Sequence, residues 1–209
     1  MADSRLRAGG AQEGGAAAPE SLAASERPIF YFDFSSPECW LAAERVNHVL
    51  SVVPVWTPVR VETPVPSPRP ASDEFADLAH RMTAHGLPTP RLPDPSPEDL
   101  EVVLRAATFA AGSGRVVAFS LAALRQAFAA GRDLSQVDNV LIAAAACELH
   151  PRAVLKGIES QFVQDRLRIA TAMARRRGVD DVPALATSDW AWQGPGAVDE
   201  ASNTLIASG

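Results

Sequence analysis

An α/β fold with a large helical block inside it is predicted by three observations. A run of aromatic and aliphatic residues, Ile29 to Phe34, leads directly into a helix start at Ser36-Pro37. From Pro97 onward, helical periodicity holds for about eighty residues. Strand character then returns at Pro183 to Ala186.

The first strand spans Pro28 to Phe34 and is apolar apart from Asp33, as suits a strand covered on both faces. Ser36 is a good N-cap and Pro37 a good first helical residue for a helix running to about Ser51. Leu41, Val46, Val49 and Leu50 are its expected inner residues. Val52 to Val61 is β-branched, and its two prolines suit an edge strand. Eleven of the chain's 17 prolines lie between Pro54 and Pro97, which leaves room for one helix, Ser72 to His85, closed by Gly86.

Five helices are expected next. They are Glu98–Gly112 with Ser96 as cap and Pro97 at its first position, Val116–Ala130, Gln136–Glu148, Pro151–Ile158, and Gln161–Arg177. Arg175, Arg176 and Arg177 complement the dipole at the end of the last. Asp189 to Gln193 reads as a strand after a tight Thr187-Ser188 turn, with Trp190 and Trp192 on one face as core or interface residues. A short helix, Ala197–Ile206, follows. Residues 1–27, rich in Ala, Gly and Ser, read as a disordered tail.

Hydrophobic content of 47% suffices for a substantial core in a chain of 209 residues. The net charge of −6 argues against a nucleic-acid surface or an anionic membrane as partner. No apolar run approaches a membrane span and no secretory signal pattern opens the chain, so cytoplasmic placement is expected. Cys39 and Cys147 fall in different helices, which argues against a disulfide framework. His48, His80, His85 and His150 show no metal-ligand spacing, and no metal is expected.

The segment FYFDFSSPECWLA resembles the active-site segment of the DsbA-like branch of the thioredoxin superfamily. It is most similar to 2-hydroxychromene-2-carboxylate isomerases and kappa-class glutathione transferases, through Asp33, Ser36, Pro37, Trp40 and Leu41. Residues 118–151 resemble the inserted helical domain of that family, and Gly178-Val179-Asp180-Asp181-Val182-Pro183 its cis-proline loop. The resemblance implies a thioredoxin-like fold with an inserted all-helical domain. Residues 28–70 and 178–209 would form the thioredoxin-like part and 71–177 the insert.

It also implies site roles. Ser36 would hold the sulfur of glutathione, or another low-molecular-weight thiol, as thiolate, and Val182 and Pro183 would bind the thiol's peptide backbone. The substrate would be a small aromatic or conjugated molecule, and a homodimer is open. Helix-start geometry agrees with the serine role, because unpartnered N–H groups and the positive end of the helix dipole favour an anion there.

Three residues could tune such a site. Asp33 either shapes it or satisfies nearby backbone donors. Glu38 either opposes a thiolate or turns to solvent at the helix start. Cys39 is either a packing residue or a working thiol. With serine at position 36, a Cys-x-x-Cys disulfide cannot form. Gly194-Pro195-Gly196-Ala197-Val198-Asp199 stands where the family carries an Asp-Arg pair. A thiol-dependent isomerase or transferase is the leading reading. A monothiol oxidoreductase using Cys39 and a catalytically silent binding module are the alternatives.

Overall fold

The computed structural model describes residues 27–61, 72–93 and 99–207. The elements run β1 (Ile29–Phe32), α1 (Pro37–Val49), β2 (Val55–Pro58), α2 (Ser72–Ala84), α3 (Glu101–Gly112), α4 (Val116–Phe128), α5 (Val137–Ala146), α6 (Pro151–Glu159), α7 (Gln161–Arg176), β3 (Ala184–Ala186), β4 (Ala191–Gln193) and α8 (Ala197–Ala207). The expected class and order are thus observed. Apart from Arg27, the expected tail lies outside the described residues, as do Ser96 and Pro97.

The four strands lie in the order β2-β1-β3-β4. β1 pairs parallel with β2 and antiparallel with β3, and β3–β4 is an antiparallel hairpin. A central strand is covered on both faces, which is why β1 carries no exposed side chain: Phe30, Tyr31 and Phe32 are all buried. Phe30 stacks on Phe32 with centroids 5.4 Å apart, and Trp56 of β2 meets both edge-on at 5.0 and 5.4 Å. Pro54 and Pro58 are tolerated because β2 is an edge strand, where a missing N–H on the open side costs nothing.

Helix α1 fills the crossover between β1 and β2 and contacts α4 and α8; α3 contacts α4, α6, α7 and β2. Gly157 permits the close approach of α6 to α3, since a Cβ there would lie 2.4 Å from the Phe109 ring. One apolar core runs from the strands through the helical block. Among the described residues, no helix is long and apolar enough to cross a membrane.

Three boundaries differ from expectation for identifiable reasons. Helix α5 stops at Ala146 rather than Glu148. Glu148 takes φ 62°, the left-handed conformation that usually calls for glycine, and Leu149 N–H bonds back to the Ala144 carbonyl at 3.0 Å. Helix α3 begins at Glu101, whose N–H is taken by Asp99 Oδ1 at 2.8 Å. The β3–β4 turn is longer than a two-residue turn. Thr187 N–H reaches the Trp190 carbonyl at 2.9 Å, and Thr187 Oγ1 accepts from Asp189 and Trp190 N–H. Trp190 is therefore an exposed turn residue and not a strand partner of Trp192, which is buried.

Candidate active site at the start of helix α1

β1 ends at Phe32, and after four residues the chain enters α1 at Pro37. Asp33 organises the turn. Its Oδ1 accepts from Ser35 N–H at 2.9 Å, and both oxygens accept from Ser35 Oγ at 2.8 Å, an Asx turn closed twice. Ser36 is extended (φ −134°, ψ 146°) and its Oγ accepts from Cys39 N–H at 3.4 Å, which makes it the N-cap. Pro37 then occupies the first helical position, where it has no N–H to leave unpaired. Ser36 is half-buried, and its hydroxyl also lies close enough to the Cys39 sulfur to pull that thiol's pKa down a little against the larger push of burial.

Behind this turn the chemistry is closed. Cys39 is fully buried and its thiol donates to Asp33 Oδ1 at 3.5 Å. Burial first, and the Asp33 charge second, push that thiol well above its usual range. Asp33 is itself buried, and burial raises its carboxyl above 3.8 against the pull of the Ser35 and Cys39 hydrogen bonds. A carboxyl raised in the fold takes up its proton more readily in the native state, so wild-type stability falls as pH climbs through that window. Asp33→Asn lacks this loss. Its stability relative to wild type should rise as pH climbs from 3.8 through the folded-state pKa, then level off. Urea denaturation of both proteins between pH 3 and 8 measures this, and a difference that shrinks with rising pH would contradict it.

Glu38 does not turn to open solvent. It is paired with Arg81 of α2 through two contacts, Nη2–Oε1 at 2.5 Å and Nη1–Oε2 at 3.1 Å. Arg81 also bonds Asp77 one turn earlier on α2 at 2.9 Å. The carboxylate beside the helix start is thereby neutralised, and α2 is fastened over that end of α1. Further along α1, Glu44 accepts from the Trp40 indole at 2.9 Å and from Arg125 of α4 at 2.7 Å on each oxygen, fixing the helix to the helical block.

The second wall is the segment before β3. The Val182-Pro183 peptide bond is cis. β1 and β3 pair with Tyr31 opposite Ala184, two residues before Asp33 on one strand and two after Val182 on the other. Ser36 and Val182-Pro183, far apart in sequence, therefore belong to one end of the sheet. The Pro183 carbonyl accepts from Gly194 N–H at 2.9 Å, and Val182 N–H donates to Asp181 Oδ1 at 2.8 Å.

Sequence reasoning missed the residue that shapes this wall. The Gln193 side chain accepts from Asp180 and Asp181 N–H at 2.7 and 2.8 Å and donates to the Gly178 carbonyl at 2.8 Å. In sequence Gln193 is one polar residue at a strand end, and only the hairpin register brings it to the 178–181 turn. Asp199, in the stretch where the family's Asp-Arg pair was sought, is engaged by Arg45 of α1 at 2.9 and 2.5 Å. A cavity of about 140 Å³ lies between the end of β2, α7 and Asp180, lined by Val59, Arg60 and Thr171 among others. No group of three or more His, Cys, Asp or Glu among the described residues could hold a metal ion.

Residues 29–205 match the family model of the DsbA-like thioredoxin domain. A search of curated proteins finds no match. Among solved structures, the chain is similar to a 2-hydroxychromene-2-carboxylate isomerase, with TM-score 0.75 and 16% identity over 86% of this chain and 94% of that one. It is also similar to a probable DsbA oxidoreductase from Streptomyces coelicolor, with TM-score 0.70 and 16% identity over 88% and 89%. A cytosolic disulfide reductase, DsbM from Pseudomonas aeruginosa, solved with GSH, aligns with TM-score 0.60 and 14% identity over 87% and 98%. A cis-proline loop beside a capped helix start, on a four-stranded sheet with helices between its second and third strands, agrees with that model: the chain belongs to the DsbA-like thioredoxin-domain family.

Proposed function

We propose that the chain is a thiol-dependent isomerase or transferase acting on a small conjugated or aromatic substrate, with Ser36 holding the thiol. The observation that carries this reading is the state of the two residues that could handle sulfur. Ser36 is half-buried at the helix N-cap with a hydroxyl proton to give, whereas Cys39 is sealed beneath it and bonded to Asp33. Dithiol exchange has no second thiol at this position, since the two cysteines are free, buried and in different elements. The likeness to the 2-hydroxychromene-2-carboxylate isomerase structure supports the same reading.

The residues present fit a sulfur. A bound low-molecular-weight thiol supplies a nucleophile that can add to a conjugated carbon and leave again. Ser36 Oγ, which accepts from Cys39 N–H, would turn its proton from the Cys39 sulfur to that of the bound thiol. The positive end of the α1 dipole favours the anion. Arg81 removes the opposing charge of Glu38, and Asp33 fixes the turn through Ser35. Glutathione's peptide end fits less simply, because Val182 N–H is already bonded to Asp181 and Asp199 to Arg45.

The test follows the absorbance of a 2-hydroxychromene-2-carboxylate substrate with and without added thiol, in wild type and Ser36→Ala. By analogy with removing one preorganised donor to a developing anion, Ser36→Ala should lower the thiol-dependent rate by about a hundredfold. Equal rates would sink the proposal. Thiol binding without turnover would favour the second reading, a silent binding module, for which the engagement of Asp199 by Arg45 speaks.

A further inference from the structure

At the end of the sheet nearest Ser36, β3 begins at Ala184, where it pairs with Tyr31 on one side and Gln193 on the other. Beyond it, the Pro183 carbonyl is taken by Gly194, but Val182 N–H has no strand to meet. Val182 is buried, and a buried backbone donor requires a partner. Its partner is the carboxylate of the residue immediately before it, Asp181 Oδ1 at 2.8 Å.

The arrangement is local and reversible. The backbone of Asp180 and Asp181 is held by Gln193, so the turn stays where it is. The Asp181 side chain is exposed and can leave by rotation alone. Its charge reaches the interior of the site, since it adds to the upward push on Asp33. Glu38 is neutralised by Arg81 and Asp199 by Arg45, whereas Asp181 has no cation partner among the described residues and bonds a strand-end donor that a ligand's carbonyl could use.

We propose that Asp181 is a specificity-determining residue of this site. Its carboxylate occupies Val182 N–H and disfavours ligands that would pair with that donor through an amide carbonyl or carboxylate, selecting thiols that engage the site through sulfur alone. The inference rests on the reading of Ser36 as a thiol site. A peptide thiol must displace Asp181 and accept its charge nearby, whereas an aminothiol such as cysteamine, with no carbonyl, need not.

Calorimetric titration of the full chain with glutathione and with cysteamine tests this, using wild type, Asp181→Ala, Asp181→Asn and Ser36→Ala. Asp181→Ala should bind glutathione about tenfold or more tightly than wild type, the scale of one charge-assisted hydrogen bond. Asp181→Asn keeps an oxygen acceptor for Val182 N–H and should stay within about threefold of wild type, less than one hydrogen bond. Cysteamine, whose ammonium the Asp181 carboxylate can attract, should gain no affinity in Asp181→Ala and should bind Ser36→Ala more weakly. Equal glutathione affinity in wild type and Asp181→Ala would overturn the role of Asp181 while leaving the thiol site intact. So would an Asn variant as tight as the Ala variant, or cysteamine binding that depends on Ser36 with no glutathione binding in any variant. Failure of both thiols with every variant would remove the thiol site, and the Asp181 role with it.

Discussion

Cys39 in the native protein should alkylate at least about a thousandfold more slowly than in the denatured chain. Two barriers multiply. The side chain is 0% exposed, so reagent reaches it only after local or global opening, and even a marginal domain opens globally with an equilibrium constant of about one in a thousand or less. The reactive species is the thiolate, and burial together with the Asp33 charge disfavours it further. Iodoacetamide labelling read by peptide mass spectrometry separates Cys39 from Cys147, which is also buried. Native labelling within a factor of about ten of the denatured rate would contradict the burial and restore Cys39 as a working thiol.

Phe32→Ala should cost about 3–5 kcal/mol of folding stability, the usual scale for deleting a buried aromatic ring. That is a large part of the roughly 5–15 kcal/mol a domain possesses. Phe32 is 0% exposed and meets three rings: Phe30 at 5.4 Å, Phe34 at 5.8 Å and Trp56 at 5.4 Å. Its carbonyl also receives Val59 N–H at 3.0 Å, tying β1 to the end of β2. It stands one residue before Asp33, so the loss strikes the platform from which the candidate site is built. Urea denaturation monitored by Trp fluorescence measures the change, and a cost below about 1 kcal/mol would show that the ring cluster is not a main anchor of the sheet.

The β1–α1 junction was legible because its signals are local. An unbroken apolar run, a serine cap and a proline at the first helical position each act within a few residues. Helix ends followed the same local rules except where a residue broke its own preference, as Glu148 does with φ 62°. What escaped the sequence depends on register and distance. Glu38 finds Arg81 across 43 positions and Arg45 finds Asp199 across 154. Gln193 reaches the 178–181 turn only because the hairpin folds it there. The Asp181 cap spans adjacent residues, yet it matters only because strand pairing stops at Ala184 and leaves Val182 N–H to it. The expectation that Glu38 turns to open solvent failed because a single chain segment cannot reveal which cation arrives from another helix.

The Gln193 contacts carry a consequence for how this protein can change over evolutionary time. One amide side chain measures off the turn from Gly178 to Asp181, bonding its first carbonyl and its last two N–H groups. Gly178 takes a positive φ and Asp181 caps Val182, but Asp180 is exposed and meets Gln193 through its backbone, so its identity is open to drift. The number of residues is not. An insertion or deletion between Gly178 and Val182 would move Pro183 along the sheet relative to Asp33 even if every other contact survived. Length, more than composition, is the heritable quantity in that segment.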